Sequence, residues 1–239
     1  AFDYGNEVVT VGGSGFGIMA LIAADSRKFI PHDQAVDRMI KIVDFLVKAD
    51  SYHGAFPHWL NGETGKTIKF GRRDDGADLV ETAYLVQGLV TARQYFNKAV
   101  ITETQLRNDI NAICNRVEWN WFRRNGADVL YWHWSPDHEW GMNMPVKGWN
   151  ECLIVYVLAA SAQTPIPKEV YDSGWAGNSA MRNNNSYFGI PLPLGPAYGG
   201  PLFFSHYSFL GINPFGLKDQ YADYEQQVVN HTKINYAYC

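Results

Sequence analysis

Two stretches of this chain have helical length and no charge on any face: residues 82–92, and residues 151–163 once Glu151 at their head is set aside. A helix that is apolar all round must be enclosed by protein. The expected solution is two layers, with inner apolar helices wrapped by amphipathic ones. Residues 33–48 are the clearest amphipathic helix, with a stripe of Val36, Met39, Ile40, Val43, Leu46 and Val47 between lysines and aspartates. Further helices are predicted over 18–24 after a glycine-rich approach, 77–97, 102–117 and 151–162, with a weaker one over 219–229. Strands are scarce, apart from the alternation of residues 130–134. The long segments 119–149 and 165–216 read as loops that carry binding surface. The chain is therefore expected to be all-α, with residues 1–239 forming a single catalytic domain.

Composition excludes several classes of function. Apolar residues make up 46% and charged residues 18%, which is an ordered, core-forming balance. The net charge of −4, with no extended Lys/Arg cluster, argues against a nucleic-acid partner. No apolar run approaches a membrane span. Cys114, Cys152 and Cys239 lack the spacing of a zinc knuckle or a disulfide framework. The run from Gly12 to Gly17 opens a helix without a βαβ pattern or a Walker lysine, so it reads as a close approach to other backbone and implies no nucleotide cofactor. His53 and His58 flank Pro57 and read as hydrogen-bonding loop residues, so no metal is expected. The chain opens on Ala1-Phe2-Asp3-Tyr4. A periplasmic or secreted location is expected, with a signal peptide already removed.

What remains is a surplus of aromatics, with eight Trp, fourteen Tyr and thirteen Phe, and a set of carboxylates at helix heads. Flat aromatic faces suit a large core, and they equally suit the weakly polar faces of a sugar ring. Within residues 74–82, Asp78 and Glu81 are three apart and share one helix face, where a helix N-terminus favours their ionised forms. Asp75 with Asp78 also resembles a capping box, so a structural role for Asp78 stays open. Glu151 heads the second apolar helix, where apolar neighbours would raise its pKa as a proton donor requires. Its alternative is a first-turn residue behind an Asn150 cap. A proton donor opposite an ionised base is the arrangement glycoside hydrolysis uses. Trp132, Trp134, Trp140 and Trp149 are candidate sugar-stacking residues, with Arg72 and His58 as candidate hydrogen-bonding partners.

Several long motifs carry a resemblance that extends through essentially the whole chain. Residues 10–17, 52–59, 74–82, 131–136 and 200–208 resemble the glucoamylase-like domain that includes glycoside hydrolase family 144. The resemblance implies an (α/α)6 toroid and inverting, metal-free hydrolysis of β-1,2-glucan or sophoro-oligosaccharides. It also implies Glu151 as general acid and Asp74, Asp78 and Glu81 as the opposing acidic cluster. A six-hairpin ring needs far more helices than the roughly six legible here. The chain is thus expected to hold the larger N-terminal part of the toroid, with about half of its helices, and to be a monomer once complete. The alternatives are a glycan-binding protein of a sugar-uptake system without catalysis, and a glucoamylase-like hydrolase of another glucan. A polysaccharide lyase would want a basic cleft, which the net charge does not support.

Overall fold

The computed structural model describes residues 7–239, so the Ala1-Phe2-Asp3-Tyr4 start lies outside the described residues. The backbone gathers into two compact units. One runs to Phe122 and includes Tyr131–Met144, and the other comprises Arg123–Leu130 and Pro145–Cys239. The described residues are mainly helical, with short strands between. No helix among them is long and apolar enough to cross a membrane.

The first unit is built on four helices: α1 (Val11–Ser26), α2 (His32–Lys48), α3 (Leu79–Tyr95) and α4 (Ile101–Asn115). Val8–Thr10, Trp59–Asn61 and Thr67–Ile68 form a small antiparallel sheet, with Val9 opposite Leu60. The expected stripe of α2 packs except at its end: Val36, Met39, Val43 and Leu46 are buried, beside Leu85 and Leu89 of α3 and Leu106 and Ile110 of α4 in one core, while Val47 is exposed. Nearly every residue of α3 from Leu79 to Leu89 is buried, as its lack of charge demanded.

The glycine run is a correction. It lies inside α1, which starts at Val11 rather than near Ile18, with the Thr10 side chain accepting from Gly13 N as N-cap. Glycine costs about 1 kcal/mol per helical position, so propensity alone argued for a later start. Packing overrides it. A Cβ on Gly15 would lie 2.1 Å from Tyr84 O, and one on Gly88 would lie 2.5 Å from Gly15 O. Helices α1 and α3 therefore cross with their backbones in contact, as a run read as a close approach to other backbone should.

The second unit contains α5 (Leu153–Ala160) and α6 (Tyr224–Tyr238), a π-helical turn at Val170–Trp175, and an antiparallel hairpin of Arg182–Tyr187 with Ile190–Leu194. Its core holds Trp149, Tyr156, Trp175, Leu192, Leu194 and Tyr224. Helix α5 is shorter than expected, and Val157 is 37% exposed, so its apolar surface is not wholly enclosed by described residues. Helix α6 starts later than expected because Asp223 caps it by accepting from Gln226 N, while Asp219 makes the preceding turn. The hairpin was not expected at all. Its strands are rich in asparagine and proline, both depleted in sheets, and its turn uses positive φ at Phe188 and Gly189.

The helix crossing makes a direct prediction. Gly15→Ala should lower unfolding stability by about 3 kcal/mol, through overpacking against the Tyr84 carbonyl. At Gly17, by contrast, a Cβ would meet nothing within 4 Å. Alanine there should cause no loss, or a gain of up to about 1 kcal/mol. Urea denaturation of the two variants checks the contrast, and equal losses would contradict the close crossing.

Candidate active site

The acidic motif owes its shape to the turn into α3. Ala77–Asp78 pairs antiparallel with His133–Trp134, which sets Asp78 opposite His133. Asp78 N donates to Phe56 O and Leu79 N to Trp132 O, both at 2.8 Å, fixing this short ladder on two sides. The N-cap of α3 is Asp78 rather than Asp75. Its Oδ1 accepts from Val80 N at 3.0 Å and Glu81 N at 2.9 Å. Its Oδ2 accepts from His58 Nδ1 at 3.0 Å and lies 3.3 Å from His133 Nε2. Asp78 is 0% exposed, and these four donors use the acceptor positions of both oxygens.

The other acids of the motif divide by partner. Asp74 is buried, with Oδ2 3.2 Å from His133 Nε2 and 4.0 Å from His58 Nδ1. Asp75 turns away, accepting from Ser135 Oγ at 2.5 Å and Lys69 Nζ at 2.9 Å. Glu81 is half-buried, and its Oε2 accepts from Gly12 N at 2.8 Å. That N–H belongs to the first turn of α1, where the helix end favours a negative charge. Gly12 has no room for a side chain there, since a Cβ would lie 2.6 Å from Glu81 Oε2.

The charges follow from these contacts. Burial pushes the Asp78 carboxyl up, but the bonds from His133 and His58 outweigh it and bring it down to about 2. Burial lowers His133, and Asp74 and Asp78 more than reverse this, raising it to about 9. His58 is raised in the same way against its own burial, chiefly by Asp78. Glu81 moves up through burial and the charge of Asp78, with His58 and the Gly12 N–H opposing. The Asp78 carboxylate is thus held ionised by the imidazoles, and Glu81 is poised higher.

Glu151 lies just ahead of α5 rather than in its first turn, and Asn150 Oδ1 accepts from Cys152 N at 2.9 Å. The Glu151 carbonyl accepts from Ser208 Oγ at 2.7 Å, tying this turn to the 202–210 segment. Burial raises the Glu151 carboxyl, with a backbone hydrogen bond opposing.

The candidate tryptophans separate. Trp134 and Trp140 are half-buried in the first unit and meet around Trp121, at 5.5 and 4.8 Å between centroids. Trp132 is half-buried beside His133. Trp149 is a core residue of the second unit: it is 5% exposed, stacks on Tyr224 and donates to Ser205 Oγ. Arg72 is exposed. His58 joins the acids rather than a separate binding surface, stacking on Phe70 at 4.0 Å.

Sequence reasoning missed His133. The alternation of residues 130–134 was the available signal, because an imidazole on the inward side of an extended edge needs a buried partner. His58, Asp74 and Asp78 each bring one donor atom within 4.8 Å of the others, a set able to hold a divalent cation. A metal would have to displace the proton shared between His58 Nδ1 and Asp78 Oδ2.

Comparison with known proteins gives this geometry a context. Residues 143–239 match the Glycoamylase family model, described as "Putative glucoamylase". The glucoamylase-like match lies in this C-terminal part of the chain. An exo β-1,2-glucooligosaccharide sophorohydrolase (non-reducing end) of Parabacteroides distasonis is 43% identical over 254 residues, covering 98% of the chain and 35% of that protein. An endo-β-1,2-glucanase structure from Chitinophaga pinensis, in complex with sophorotriose and glucose, is 52% identical with a TM-score of 0.95, covering 98% of the chain and 57% of that structure. A β-1,2-glucanase structure from Parabacteroides distasonis is 43% identical with a TM-score of 0.95, covering 98% and 36%. The chain thus spans between about a third and three fifths of these relatives' length.

The His–Asp cluster predicts how stability follows pH. His133 has its pKa raised from 6.5 to about 9, so its contribution is full below pH 6.5 and is lost as pH rises through about 9. Asp78 is depressed from 3.8 to about 2, so its contribution is present above pH 3.8 and is lost as pH falls through about 2. Melting temperature should fall from pH 6.5 to 9, and fall less steeply in His133→Gln. Parallel curves would show that the ring is not charged by its aspartates.

Proposed function

We propose that the chain is part of an inverting glycoside hydrolase acting on β-1,2-glucan or sophoro-oligosaccharides. On this reading residues 1–239 are the larger N-terminal part of one (α/α)6 catalytic domain that works in the periplasm or outside the cell. The observation that carries the reading is the division of labour among the acids, taken with 43–52% identity to enzymes named for this substrate class. Asp78 has no acceptor position left for a water or a sugar hydroxyl, so its role is to position its neighbours. Glu81 is the most exposed of Asp74, Asp78 and Glu81, and its raised pKa makes it the stronger base once ionised. Among described residues only its Oε2 is hydrogen-bonded.

In the proposed reaction Glu81 takes a proton from water as the water attacks the anomeric carbon. Glu151, whose carboxyl is raised by burial, donates its proton to the departing glycosidic oxygen. The C1–O bond breaks as the new bond forms on the opposite face, so configuration inverts. Asp74, beside His133, is a hydroxyl acceptor or a support for Glu81. Trp134 and Trp140 offer faces to the sugar rings.

Product analysis on β-1,2-, β-1,3-, β-1,4- and α-1,4-glucans tests the substrate class, and turnover of an α-1,4-glucan alone would overturn it. Glu151→Gln and Glu81→Gln should each lower kcat by roughly 10²–10⁴-fold with oligosaccharide binding retained. Full activity in either would remove that residue from the reaction, and binding without turnover in the wild type would favour a glycan-binding protein. Gly12→Ala adds a finer check. Its new methyl would lie 2.6 Å from Glu81 Oε2 and 3.1 Å from the buried Tyr84 ring, so kcat should fall together with a modest loss in melting temperature. A lower melting temperature with kcat unchanged would mean that the Gly12–Glu81 contact serves stability alone.

A further inference from the structure

We propose that Phe70 is a sugar platform of this site: its open ring face receives the flat face of a glucosyl ring beside the acidic motif. The inference rests on the reading of the substrate as β-1,2-glucan or sophoro-oligosaccharide.

An exposed phenylalanine is ordinary on a protein surface, and Phe29 and Phe215 are examples. Phe70 is 48% exposed but is held on several sides. Its N–H donates to Asp74 O at 2.9 Å, and Gly71 and Asp74 exchange backbone hydrogen bonds of 3.2 Å across the turn. The acidic motif therefore anchors the residue directly. One residue earlier, Lys69 Nζ donates to Asp75 Oδ2 at 2.9 Å and to Asp137 Oδ2 at 3.1 Å. The Phe70 ring lies on His58, with centroids 4.0 Å apart and planes 19° from parallel. Trp59 stands nearly perpendicular to it at 4.7 Å, on the strand where Trp59 pairs with Ile68.

Stacking on His58 uses one face of the Phe70 ring, and among the described residues no third ring meets it. A ring fixed in this way has already lost its freedom, so a ligand that stacks on it costs little further ordering entropy. A β-linked glucosyl ring carries its hydroxyls around the equator and C–H groups on its faces, which suits a flat aromatic partner. Arg72 is exposed two residues on, at the tip of the same turn, where its guanidinium can donate to those equatorial hydroxyls. On the opposite side of Phe70, His58 Nδ1 meets Asp78 Oδ2. The stacked sugar is thus separated from Asp78 by two rings, the depth of a neighbouring subsite rather than of the bond being cut. Contacts remote from that bond strengthen ground and transition state alike, so their loss shows in KM.

Phe70→Leu tests this, because leucine keeps an apolar cover over His58 and removes the flat face, while Phe70→Tyr keeps the ring. In the full chain acting on sophoro-oligosaccharides, we expect Phe70→Leu to raise KM by roughly five- to tenfold, with most of the loss in kcat/KM carried by KM. Phe70→Tyr should keep KM within about twofold of the wild type. Equal KM values in the two variants overturn the proposal. So does a fall in kcat at constant KM in Phe70→Leu, which would mark the ring as a shield over the His58–Asp78 pair. Should Phe70→Leu fail to fold, NMR of the Phe70 ring protons in the wild-type protein decides the matter. A shift of those signals on adding sophorotriose supports the proposal, and an unmoved ring overturns it. The wild type separates the two levels. If it cleaves sophoro-oligosaccharides and the Phe70→Leu KM is unchanged, this inference fails alone. If the wild type cleaves only another glucan, the reading of the substrate fails.

Discussion

A carboxylate with no contact to water is tolerated only when donors surround it, and the acidic end of the first unit is arranged around that requirement at Asp78. Two backbone N–H groups of α3 and two imidazoles meet its oxygens. Breaking such a cluster by removing one partner leaves an uncompensated buried charge, at a cost of about 3–5 kcal/mol. The same bonds define where α3 begins, and hence where Glu81 sits three residues later. They also draw in His58 and His133, which come from segments 20 and 55 positions away. One side chain thus ends a strand, starts a helix and assembles the residues around the proposed base.

The second constraint is the crossing of α1 and α3. Gly15 meets the Tyr84 carbonyl, and Gly12 meets the Glu81 carboxylate. Within each helix the two positions are three residues apart, about one turn. The contact that lets the backbones touch therefore also delivers the Gly12 N–H of α1 to Glu81. Packing and electrostatics share a surface here: a larger residue at Gly15 would part the helices and withdraw the donor.

Much of this was legible in the chain. The stripe of α2 and the charge-free body of α3 declared themselves through period and composition, because burial selects for both. The acids at the head of α3 stood out for the same reason, against an apolar background. Less legible was anything decided by long-range contact. Asp75 read as the cap, with Asp78 three residues on, until the ladder with residues 133–134 extended Asp78 and made it the N-cap. His133 looked like one more ring between Trp132 and Trp134, since nothing local marks a partner 55 positions upstream. The glycines of α1 spoke against helix by propensity and were overruled by packing. Trp149 looked in sequence like the half-buried tryptophans and differed only in what packs on it. The Asn- and Pro-rich hairpin was hidden because its residues are poor strand formers.

The account's central claim is that a water activated by one carboxylate attacks opposite a leaving group protonated by another, with no covalent intermediate. The measurement closest to that claim is the anomeric form of the sugar first released from a sophoro-oligosaccharide, followed by ¹H NMR before mutarotation. The account predicts that the α-anomer accumulates first from the β-linked substrate and then decays toward equilibrium. Initial release of the β-anomer would require a double displacement, and would contradict the roles given to Glu81 and Glu151.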